Sequence, residues 1–173
     1  MKSTTFFLAF AAILLIIQPV KAQKLSRFYS SRFQEGGSLY FINPNKDFKN
    51  REASVSVAFD VTFLSSEDSV TFNFSVFGRQ PQEVDSVFLS TSKGSFGAYA
   101  ARFFLDFAGK NWETRSSAKF SLSDFSTFIN EQNPTILLKN HPTNIILLRS
   151  SERKWRKYSA ALQKILFIIE SER

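Results

Sequence analysis

Four carboxylates, Asp60, Asp85, Asp106 and Glu113, fall inside stretches that alternate polar and apolar residues. Two such groups facing each other across a cleft would meet the first requirement of glycoside hydrolysis. Each, however, has an apolar residue on at least one side and takes the outward position of its alternation, where a sheet keeps its solvated charges. The chain has no cysteine and one histidine, so thiol chemistry is excluded and a zinc site lacks its usual ligands. A Ser-His-Asp relay would depend on His141, which precedes Pro142 in a turn-like stretch, and no Gly-x-Ser-x-Gly elbow occurs. His141 is therefore expected to be a solvent-facing turn residue. Gly94-Ser95-Phe96-Gly97 has neither the third glycine nor the Lys-Ser or Lys-Thr of a phosphate loop, and reads as a turn. The expectation is a protein that is not an enzyme, with no catalytic residues, no metal and no cofactor.

The densest group of polar side chains is basic. Over residues 151–170, at about 100° per residue, Trp155, Tyr158, Leu162, Ile165, Leu166 and Ile169 share one arc of a helix. Arg153, Arg156, Lys157 and Lys164 gather on the far side, and Phe167 and Ile168 fall outside the apolar arc. Cations this near a helix N-terminus oppose the macrodipole by a few tenths of a kcal/mol each. Such a face suits an anionic surface or an acidic patch on another envelope protein, and it is also what the solvated side of a helix lying on a sheet looks like. Nucleic-acid binding would call for a denser basic face with exposed aromatics, and is not expected. A second reading, a carrier of a small apolar ligand, would have Tyr99, Phe103, Trp112, Trp155 and Tyr158 lining the interior. The sequence leaves the oligomeric state open.

The elements that position these groups are mostly strands. Val55, Val57, Phe59, Val61 and Phe63 alternate with polar residues, and Val70, Phe72, Phe74 and Val76 repeat the pattern, which predicts a hairpin with one apolar face. A second hairpin, residues 99–107 with 112–120, pairs Phe107 with Trp112, so that Leu105, Phe103, Ala101 and Tyr99 face Thr114, Ser116, Ala118 and Phe120. Asp106 then sits opposite Glu113, a mildly unfavourable pair that a diagonal Arg115 would relieve. Residues 38–42 read as a strand stopped by Asn43-Pro44-Asn45. Residues 84–92 form another, and residues 136–138 and 145–148 form two buried strands about a turn. Residues 23–37 fit either a short helix or an edge strand. Leu122, Phe125, Phe128 and Ile129 switch to helical spacing after Ser123-Asp124.

Lys2, the apolar run from Phe6 to Ile17, Pro19 and the Val20-Lys21-Ala22 site describe a signal peptide cleaved after Ala22. The run is shorter than the roughly 20 residues that span a bilayer. Loss of Lys2 and Lys21 lowers the formal charge of +7 by two, a level that solubility alone would explain. An exported chain without cysteine must be held by its core, and of the twenty-one phenylalanines the eighteen beyond Phe6, Phe7 and Phe10 supply one, each worth roughly 1.5–3 kcal/mol when buried. Residues 23–173 are thus expected to form one α+β domain. Its antiparallel sheet would have about six to eight strands, curved or in two layers, with the C-terminal amphipathic helix on one face. The alternative is a β-sandwich with a peripheral helix. The expected setting is the periplasm or the exterior of a bacterial cell.

Overall fold

The computed structural model describes residues 25–140 and 144–171. The predicted signal peptide and His141 lie outside the described residues. In chain order the elements are β1 (Tyr29–Gln34), β2 (Gly37–Asn50), β3 (Val55–Leu64), β4 (Ser69–Gly78), β5 (Ser86–Thr91), β6 (Gly94–Tyr99), β7 (Ala101–Ala108), β8 (Asn111–Ser121), α1 (Leu122–Ile129), β9 (Thr135–Asn140), β10 (Asn144–Arg149) and α2 (Glu152–Ser171). The strands form a single antiparallel sheet in the order β6-β5-β9-β10-β2-β3-β4-β8-β7, with β1 added to β2. It curls into a half-barrel rather than splitting into a sandwich.

The predicted hairpin is β3–β4, with Val57 opposite Val76, Phe59 opposite Phe74 and Phe63 opposite Val70. Its apolar side chains face the concave side and are buried. Phe59 stacks on Phe72 at 4.7 Å, and Tyr158 of α2 meets Phe59 edge-on at 5.7 Å. Phe48 of β2 packs against Trp155 at 5.5 Å and Phe128 of α1 at 6.3 Å. Trp155 also donates its indole N–H to the Glu131 carbonyl at 2.7 Å, so α2 lies in the trough and is not peripheral. Ser121, rather than Ser123, caps α1 by accepting from the Asp124 N–H at 3.0 Å.

The sheet has ten strands against the six to eight expected, because two segments carry signals that mask strands. Residues 94–99 contain two glycines yet form β6, paired with β5. Gly97 serves packing there: a Cβ at this position would lie 2.4 Å from Cε1 of Phe88, whose ring covers the strand. Residues 29–34 form β1, which folds back on β2 through Gly36 and Gly37 at φ of 93° and 125°. The Asn43-Pro44-Asn45 cluster does not end a strand. β2 runs through it with register shifts between Ile42 and Asn45 and between Asn45 and Phe48, since proline cannot donate to a ladder and bulges absorb it.

The second predicted hairpin, β7–β8, keeps the expected register from Ala108–Asn111 to Phe104–Arg115 and then slips by one, with Phe103 bulged and Arg102 opposite Ser116. Tyr99 does not continue this strand; it ends β6 opposite Ser86. The apolar face expected to be covered is exposed: Leu105 keeps 42% and Phe107 53% of its surface. β7 is the last strand of the sheet, and the core that gathers around α1 and α2 includes none of its residues.

Candidate functional site

β2 has one edge that pairs with β3 along its length, interrupted by two bulges, and one divided edge. β1 pairs along the first half up to Ile42, and β10 joins only where Arg149 meets Lys49. On this divided edge the backbone between them has no strand neighbour, and α2 closes over this break from the concave side. The Tyr158 hydroxyl donates to the Asn43 carbonyl at 2.9 Å, and Lys154 Nζ reaches Asp47 at 2.7 Å. On the outer flank the Asn43 N–H donates to the Phe28 carbonyl at 2.7 Å, and the buried Asn45 side chain accepts from the Asp47 N–H at 2.8 Å. Burial drives the Tyr158 phenol well above its ordinary pKa, so it remains a neutral donor at any physiological pH.

Two open concavities share Lys154 and Lys157, and one of them opens at this break. One, of about 380 Å³, is lined by Phe28, Pro44, Lys46, Asp47, Lys154 and Lys157 together with Asn45 and Tyr158. The other, of about 620 Å³, lies against Arg153, Lys154, Arg156 and Lys157. Lys46, Lys154 and Lys157 line the concavity at the break, Arg153 and Arg156 join Lys154 and Lys157 around the other, and Asp47 is the one carboxylate among these lining residues. Of the basic residues expected from helical spacing, Arg153, Arg156 and Lys157 come together here. Lys164 is exposed further along the same side of α2, followed by Phe167, which keeps 72% of its surface. Lys46 and Lys154 were not part of the expected set. Lys46 follows the Asn43-Pro44-Asn45 cluster, which signals the end of a strand, and Lys154 lies at the side of the helix rather than on its outer crest.

The aromatic set proposed to line an interior does not meet in one space. Trp155 and Tyr158 are packed in the core, Trp112 is half-buried with its ring 5.3 Å from that of Phe107, and Tyr99 and Phe103 keep 91% and 64% of their surface. Tyr99 instead borders a shallow depression of about 320 Å³ with Ser86, Phe88, Gly97, Ala98 and Lys139.

The four carboxylates are spread over the sheet. Asp60 is ion-paired to Arg115 and accepts from Asn73 at 2.9 Å, while Arg115 also donates to Ser75 at 3.1 Å. Asp106 lies opposite Glu113 on β7–β8. The backbone of Asp85 ties the start of β5 to Lys139 and Ala100. None of the four borders the three concavities described. The most perturbed carboxyl is Glu131, held down to about 2 by hydrogen bonds from the Ser92 hydroxyl and N–H and from the N–H groups of Gln132 and Asn133. Among the described residues no group of three or more His, Asp or Glu is placed to hold a metal ion, and no helix is long and apolar enough to cross a membrane. No family model, curated protein or solved structure matches the chain.

Proposed function

We propose that this protein is a non-enzymatic binding module, working after export, that docks an anionic surface through α2 and the break beside it. The observation that supports the reading most strongly is the convergence of Lys46, Arg153, Lys154, Arg156 and Lys157 around two open concavities. Four of these cations occupy the first two turns of a helix, where the macrodipole disfavours positive charge, so helix stability does not account for them. Lys164 and the exposed Phe167 extend the same side into a stripe along a 20-residue helix, a shape suited to lying flat on an acidic surface with one ring inserted.

The test replaces Arg153, Arg156, Lys157 and Lys164 together by Ser and measures binding to vesicles containing phosphatidylglycerol and to vesicles of phosphatidylcholine alone. At about 1 kcal/mol per cation near an anionic bilayer, the expected outcome is a loss of more than ~100-fold on the anionic vesicles and a melting temperature close to that of the parent. Equal binding before and after the change overturns the reading. Binding to the host's envelope proteins but not to anionic vesicles moves the partner from lipid to protein.

A further inference from the structure

The two edges of the half-barrel are unlike. β6 carries two glycines, lies against β8, and its turn is fastened by Glu131 through Ser92. β7 pairs with β8 alone, and among the described residues no strand pairs with its outer edge. Every residue from Ala101 to Phe107 is exposed. The strand contains no proline and no lysine, and against edge pairing it has the bulge at Phe103 and two charges, Asp106 and Arg102, the latter ion-paired to Glu83 at 3.8 Å. Phe103, Phe104, Leu105 and Phe107 keep between 42% and 64% of their surface, a concentration of apolar side chains that a free surface seldom carries.

Charge says what would cover this edge. Asp106 lies directly opposite Glu113 on the outer face of the ladder, a like-charge pair that destabilises a sheet. Arg115, the diagonal cation, points instead to Asp60 and Ser75. Among the described residues neither Asp106 nor Glu113 has an ion pair. The geometry points to an extended segment of another polypeptide that adds as a strand to the free edge of β7, with a Lys or Arg opposite Asp106 and apolar residues on either side of it. Strand alternation fixes the pattern: the cation shares the outer face with Asp106 and Phe104, and its two apolar neighbours share the inner face with Leu105 and Phe107.

A second copy of this chain does not supply that cation through β7. Arg102 pairs with Ser116 and Asp106 with Glu113, and the bulge between them puts the two side chains on opposite faces of the sheet. An antiparallel pair of β7 strands with aligned faces therefore sets Asp106 against Phe104, Asp106 or Ala108 of the other copy. The surface is distinct from the basic break and does not depend on the role given to that site.

The test uses the full chain and a short synthetic peptide of alternating Val and Thr whose central Lys is flanked by valines, with the same peptide carrying Glu instead of Lys as control. Binding is followed by fluorescence anisotropy of the labelled peptide, and its location by amide exchange. The Lys peptide is expected to bind about five- to tenfold more tightly than the Glu peptide and to protect β7 amides. In Asp106→Lys, which also removes the repulsion with Glu113 and so does not endanger folding, the preference is expected to reverse. Equal binding of the two peptides, no binding of either, protection on β6 instead of β7, or a preference unchanged in the variant overturns the proposal. A self-dimer that protects β7 does so too, by making a second copy the occupant.

Discussion

The hairpins β3–β4 and β7–β8 are written in the same alternating code and meet opposite fates. In β3–β4 the odd residues Val57, Phe59, Val61 and Phe63 face even residues of β4 and vanish into the core. In β7–β8 an equally apolar set, Leu105 and Phe107, faces the same concave side and stays exposed. The difference is what lies above. α2 places Tyr158 on Phe59, and α1 and Trp155 close around Phe48, while no residue of β7 reaches that cluster. Alternation specifies which side chains share a face; it does not supply a cover for the face.

Truncation separates the two hairpins most sharply. Phe72→Ala, at a fully buried ring stacked on Phe59, is expected to cost ~3–5 kcal/mol in urea denaturation, and Phe104→Ala, at an exposed edge position, less than ~0.5 kcal/mol. Comparable losses would mean that β7 is covered in solution. A smaller effect concerns the convex face. Arg115→Leu leaves the half-buried Asp60 with Asn73 alone and is expected to lower stability by about 1–2 kcal/mol, most of which Asp60→Asn in the same chain should restore.

The smallest effect probes the contrast between the two edges. Glu131 holds the β5–β6 turn with its carboxyl lowered from 4.5 to about 2, so its contribution is complete above the unfolded value and fades as the pH falls through that window. Glu131→Gln should therefore lower the thermal midpoint slightly at neutral pH, and the gap from the parent should close as the pH approaches about 2. A gap independent of pH would show that the side chain acts through shape alone. Among the described residues the free-edge strand β7 is tied beyond β8 by the exposed Arg102–Glu83 ion pair at 3.8 Å.

These contrasts also show what the sequence made legible. The shared apolar face of β3–β4, the bounds of α2 and the basic side of that helix follow from periodicity, because each is a local repeat of one spacing. β6 was hidden because glycine signals a turn whether it makes one or, as Gly97 does, makes room for a phenylalanine ring. β2 was cut short because proline breaks a ladder on its own strand, and a bulge that carries the strand past it depends on the neighbour. The basic site was half legible for the same reason. Arg153, Arg156 and Lys157 share a helix, but Lys46 joins Lys157 and Lys154 only because the sheet leaves a break where α2 crosses it, and that is a property of pairing between distant segments.

The divided edge of β2 also sets a timetable. Its first half is complete as soon as β1 and β3 exist, but its second half waits for β10, and the Asn50 side chain that steadies the junction reaches the Leu147 carbonyl across 97 positions of sequence. α2, which covers Phe48 and Phe59, is made later still. Contacts so distant along the chain close slowly. Until α2 is made, the phenylalanines of the central strands pack only on one another and on α1, with no cover from Trp155 and Tyr158, which leaves the incomplete sheet vulnerable to aggregation.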